Sequence, residues 1–149
     1  MSKNLFQKNT IADLEQRINS LEKDTIPLWG QMNVGQMLAH CCEVLKNALG
    51  ETQQKRKLIG YLIAPFVRTR FYDDIPYKKR GGPSTFVITD KKDLKSERQN
   101  LIELIKRFHA VDKKSLNNSV HPILGKFKPE QWAIGQYKHL DHHLRQFGV

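Results

Sequence analysis

A chain of 149 residues can bury a hydrophobic core without disulfides or a structural metal, so one domain spanning residues 1–149 is expected. With 39% hydrophobic and 27% charged residues, the composition excludes disordered, collagen-like and coiled-coil classes. The formal charge of +10 would draw nucleic acid, anionic surfaces or acidic metabolites, but the cations are spread along the chain without interleaved aromatics, which disfavours nucleic acid.

The first residues, MSKNLFQKN, hold no apolar signal core, and the longest apolar stretch, Leu58 to Val67, is too short and interrupted to span a bilayer. A cytoplasmic protein without a membrane partner is therefore expected. Ile11, Leu14, Ile18 and Leu21 recur at the spacing of one helical face and predict a helix from Thr10 to Leu21. A link with Pro27, Trp29 and Gly30 follows, and Trp29 reads as a core plug. Asn33, with Gln36 three residues later, reads as a capping box opening a helix that runs to Leu49 and stops at Gly50. The adjacent thiols Cys41 and Cys42 are too close for an unstrained disulfide and are expected reduced, Cys41 toward the core and Cys42 leaning outward.

From Lys55 to Tyr72 the apolar spacing suits a helix that Gly60 and Pro65 weaken, so an irregular helical segment is expected. Residues Asp73 to Thr89, with Pro76, Gly81, Gly82 and Pro83, read as a long crossing loop. Asp90 is the expected cap of a helix from Lys91 to His109. The next link carries His121, Pro122 and Gly125, with His121 fixing the turn, and Pro129 opens a last helix to Phe147.

Helical residues turn by roughly 100°, so His139 and His143 lie almost one above the other. With His139 at zero, Ala133, Leu140, Leu144 and Phe147 centre near roughly +110°, and Gln131, Lys138 and Arg145 near roughly −100°. His143, at roughly +40°, falls toward the core, while His142, at roughly −60°, falls among the polar residues and is expected outside. On the second helix His40 sits at the equivalent margin of the stripe formed by Met37, Leu38, Cys41, Val44, Leu45 and Ala48. If these helices are neighbours, three imidazoles converge beside the core. The plainer account, cations at a helix C-terminus, explains His142 but not the position of His40.

The ending WAIGQYKHLDHHLRQFGV, the preceding HPILGKFKPEQW, the earlier WGQMNVGQMLAHC and, more loosely, KKRGGPSTFVITDKKDLKSERQNLIELIKRF resemble an uncharacterised branch of the DinB/YfiT-like superfamily. The resemblance implies an all-α fold, a four-helix bundle with a long crossover connection. It also implies a divalent metal held by one histidine of the second helix and an HxxxH pair of the last, positions that His40, His139 and His143 match. Members of that superfamily include thiol transferases using a low-molecular-weight thiol, isomerases and hydrolases, and relatives often form homodimers. Three neutral imidazoles leave a coordination position open, and zinc, nickel, iron or manganese each suit them.

Gln36, Trp132 and Gln136, within a turn or two of the histidines, are candidate pocket residues, with helix packing as their plainer role. Asp141, at roughly 200° from His139, points away from the site. Two classes of function follow: a metal-dependent thiol transferase or hydrolase, or a non-catalytic metal-binding or stress-response protein.

Overall fold

The computed structural model describes residues 2–52, 54–79 and 86–149. Among them are five α-helices, two 3-10 turns and one short hairpin, so the chain is mostly helical. Helix α1, Lys8–Asn19, buries Thr10, Ile11, Leu14 and Ile18 on one face. Helix α2, Val34–Ala48, opens as expected: the Asn33 side chain accepts the Gln36 N–H at 2.9 Å and the Gln36 side chain accepts the Asn33 N–H at 3.1 Å. Two of the orphan amides at the helix start are thereby satisfied. Gly50, at φ 79°, turns the chain away in a conformation that L side chains resist.

Helix α3, Leu58–Val67, runs through Pro65 and tightens into a 3-10 turn over Arg68–Phe71. Among the described residues between Tyr72 and Asp93 the chain has no helix or strand, in keeping with a long connection; Gly81, Gly82 and Pro83 lie outside the described residues.

Helix α4, Leu94–Ala110, is capped by Asp93 and not by Asp90. The Asp93 carboxylate accepts the Ser96 N–H at 2.9 Å and the Ser96 hydroxyl at 2.8 Å. Asp90 pairs instead with Lys92, and the Gln36 amide donates to the carbonyls of Thr89 and Asp90, which ties this stretch to the start of α2. After a 3-10 turn over Lys113–Asn118, strand β1 (Val120–His121) pairs antiparallel with β2 (Gly125–Lys126), His121 opposite Gly125. Helix α5, Pro129–Gln146, starts with proline in its first turn.

Helix α2 packs on α4 and α5, and α1 packs on the same two. Their shared core includes Leu14, Ile18, Leu38, Leu45, Leu101, Ile105, Phe108, Trp132, Leu140 and Leu144. Each fully buried leucine or phenylalanine contributes about 1.5–3 kcal/mol, the main force holding α2 against α5 and so bringing their histidines together. No helix among the described residues is long and apolar enough to cross a membrane.

Candidate metal centre

The packing of α2 on α5 sets His40 against His139 and His143. Ring centroids lie 5.0 Å apart for His40 and His139, 4.9 Å for His40 and His143, and 4.6 Å for His139 and His143. One ligand nitrogen from each ring falls within 4.8 Å of the others, so the group could hold a metal ion. His40 and His143 are buried and His139 is half-buried, which places the cluster at the margin of the core.

The hydrogen bonds fix two of the three tautomers. The Phe86 carbonyl lies 2.6 Å from His40 Nδ1 and can only accept, so Nδ1 carries the proton and Nε2 presents a lone pair. The second ring is set through a glutamine. Gln146 Nε2 donates to the Trp29 carbonyl at 2.6 Å, which leaves Oε1 facing His143 Nδ1 at 2.9 Å. His143 Nδ1 must then donate, and its Nε2 is also a lone pair. Gly30, at φ 81°, makes the turn beneath this bridge, and a Cβ there would run into the Gln146 amide.

His40 Nε2 and His139 Nε2 approach to 3.1 Å. Two nitrogens bound to one tetrahedral ion at about 2.0–2.1 Å stand about 3.3 Å apart, so the spacing suits a shared cation. Burial lowers the pKa of His40 against the opposing bond to Phe86, and lowers that of His139 far below its usual value, with His143 next in effect. Burial also pushes His143 down to about 3. All three rings are thereby held neutral, the form in which imidazole ligates metal.

His142 is not outside, as its angle on the helix predicts; it is buried, with its ring 5.6 Å from that of Trp29 and 5.8 Å from that of Tyr77. These two aromatics come from distant segments and cover a position that helical periodicity assigns to solvent. Trp29 is accordingly a half-buried cover over His142, not a core plug. Lys138, on the same polar face, is also buried, its ammonium 2.5 Å from the Asp73 carboxylate.

Of the three candidate pocket residues, Gln36 spends both ends of its amide on the α2 cap and on the carbonyls of Thr89 and Asp90. Trp132 is fully buried among Phe71, Phe127 and His121. Gln136, one turn before His139, is fully buried, and neither its Oε1 nor its Nε2 has a hydrogen-bond partner. A buried primary amide with both ends unmatched costs about 1–3 kcal/mol per group. Asp141 turns away to Arg17 and Arg145, at 3.0 and 2.8 Å.

Both thiols are buried, Cys42 included, because α4 covers the side of α2 on which it was expected to lean out. Burial raises the pKa of Cys41 and pushes Cys42 up to about 12, so neither is a ready nucleophile. Gln146 escaped the sequence reading, although its three-residue spacing from His143 continues the line of His139 and His143. An open cleft of about 460 Å³, lined by Glu43, Lys46, Lys92 and Glu97 among others, adjoins the centre through Phe86. None of the three clustered histidines lines it.

No curated protein and no solved structure matches the chain. One family model does, over residues 3–148, and its description is a protein of unknown function, DUF1569. The match covers nearly the whole sequence, histidine cluster included, and the chain therefore belongs to the DUF1569 family.

Proposed function

We propose that the chain is a DinB-like four-helix bundle that binds a divalent metal through His40, His139 and His143 and transfers a low-molecular-weight thiol to an electrophile. The observation that carries this reading is the fixing of His40 and His143 from behind. A backbone carbonyl on one and a carbonyl-anchored glutamine on the other hold both Nδ1 protons and leave a lone pair on each Nε2, in rings whose centroids lie 4.9 Å apart, the support that metal-binding histidines receive.

A bound ion supplies Lewis acidity, which lowers the pKa of a coordinated water or thiol. Three imidazoles leave room for one more ligand, and His139, the half-buried member of the three, is the one nearest the surface. Because Cys41 and Cys42 are buried with raised pKa values, the reacting thiol has to come from a second substrate. Gln136, one turn before His139 on α5, is the residue proposed to orient it. Zinc, nickel, ferrous iron and manganese all remain compatible with an all-imidazole set.

The test is to load the protein with each metal, add a low-molecular-weight thiol and a halogenated or epoxide electrophile, and follow thiol consumption. Consumption above background that disappears in His143→Ala supports transfer. Ester cleavage without thiol consumption replaces it with metal-dependent hydrolysis, and metal binding with neither activity leaves a non-catalytic metal-binding protein.

A further inference from the structure

Helix α3 is amphipathic in the wrong sense for a surface helix. Its small residues, Gly60 and Ala64, face the body of the protein, with Gly60 so near the Ile123 backbone that a Cβ would not fit. Its large apolar residues face out: Leu58, Leu62 and Phe66, spaced by four, are 85%, 71% and 84% exposed, with Ile59 and Tyr61 exposed beside them. A contiguous apolar ridge of this kind marks a contact site, not a solvated surface.

Both ends of the ridge are basic. Lys55, Arg56 and Lys57 precede it and Arg68 follows it, while Arg70 is paired with Asp73 at 3.1 Å, and no carboxylate occurs within residues 54 to 72. Arg56 lies 4.0 Å over the Tyr61 ring, and Arg68 donates to the Lys126 carbonyl, which brings the exposed Lys126 toward the same edge. Pairing α3 with α3 of a second copy would set cations against cations whether the helices ran parallel or antiparallel. A negatively charged, apolar-cored surface meets both features at once.

We infer that α3 docks on an anionic lipid bilayer. Ten residues make a helix about 15 Å long, too short to cross but suited to lie in the interface with Leu58, Leu62 and Phe66 immersed and the flanking cations among the headgroups. This amends the expectation of no membrane partner, which concerned spanning segments.

The test is co-sedimentation of the full chain with vesicles of phosphatidylcholine alone and of phosphatidylcholine with phosphatidylglycerol. Wild type should bind the anionic vesicles at least about tenfold more tightly, with the difference shrinking as salt rises. Leu62→Ser with Phe66→Ser, which leaves the charge unchanged, should abolish binding, and Lys55→Glu with Lys57→Glu should remove the preference for anionic lipid. Metal removal should change neither result, which separates this docking from the metal reading. Failure to bind anionic vesicles, or equal binding by the serine variant, overturns the inference. So does a concentration-dependent dimer that the serine variant dissolves while vesicles go unbound, which would assign the face to a second copy.

Discussion

Replacing Gln146 separates its two roles, holding a loop and orienting a ligand. In Gln146→Leu the Trp29 carbonyl loses its donor and His143 Nδ1 loses its acceptor. The loop bond costs about 1 kcal/mol of folding stability, because water can replace the glutamine at half-buried Trp29. The loss at His143 falls on metal binding, since without Oε1 the ring is free to protonate on Nε2 or to turn away. Removing such an outer partner weakens binding by about 10- to 100-fold, or about 1.4–2.8 kcal/mol.

Gln146→Glu keeps an acceptor for Nδ1–H but sets a carboxylate against the Trp29 carbonyl, so it should bind metal at least as tightly as wild type while folding less stably. Chelator competition gives the affinities and urea unfolding of the metal-free proteins gives the stabilities. If Gln146→Leu binds metal within about threefold of wild type, Gln146 does not set the His143 tautomer and the reasoning fails.

Three further outcomes test the surrounding structure. His121 Nδ1 accepts the amides of Ile123 and Leu124 at 3.1 and 3.0 Å, and burial pushes its pKa down to about 4. The unfolded histidine titrates near 6.5, so stability is intact above that pH, falls between about 6.5 and 4 as the unfolded chain takes the proton first, and levels off below; the contribution is about 3 kcal/mol. His121→Asn keeps an acceptor and should remove that part of the slope in urea titrations across the window; an unchanged slope contradicts the assignment.

Gly135 lies against the Phe71 ring, where a Cβ would overlap it. Gly135→Ala should therefore lower the urea midpoint, the overpacking of about 1–3 kcal/mol outweighing the gain of about 1 kcal/mol in helix propensity, and a raised midpoint would refute the contact. Asp73→Ala leaves the buried Lys138 ammonium without its carboxylate and should cost about 2–4 kcal/mol, most of it restored by adding Lys138→Met. A double variant no more stable than the single one would contradict the pairing.

What the sequence shows of this fold depends on how local each interaction is. Asn33 and Gln36 stand three residues apart and satisfy each other's backbone amides, so the start of α2 is readable from the chain alone. The pairing of His139 with His143 is readable from their spacing on one helix, but the addition of His40 requires α2 and α5 to be neighbours, which the stripes allow and the resemblance implies. Positions whose environment comes from far along the chain are not readable that way. His142 and Lys138 lie on the polar side of α5 by angle, yet Trp29, Tyr77 and Asp73 bury them from segments 60 or more residues away.

The choice of Asp93 over Asp90 as the α4 cap has the same origin, since Gln36 of another helix ties the Asp90 backbone to α2. The β1–β2 hairpin escapes because two-residue strands leave no periodicity to detect. Periodicity detects α3 but not its orientation, since only the close approach of Gly60 to Ile123 reveals which side meets the protein.

On the proposed reading, His40, His139 and His143 together hold one divalent ion. Its most direct test is metal analysis of protein purified without a histidine tag, beside His143→Ala and His142→Phe, the latter keeping a ring between Trp29 and Tyr77. About one ion per chain is expected in wild type and in His142→Phe, and loss of the ion in His143→Ala. No bound metal in wild type, or equal loss in both variants, would contradict it.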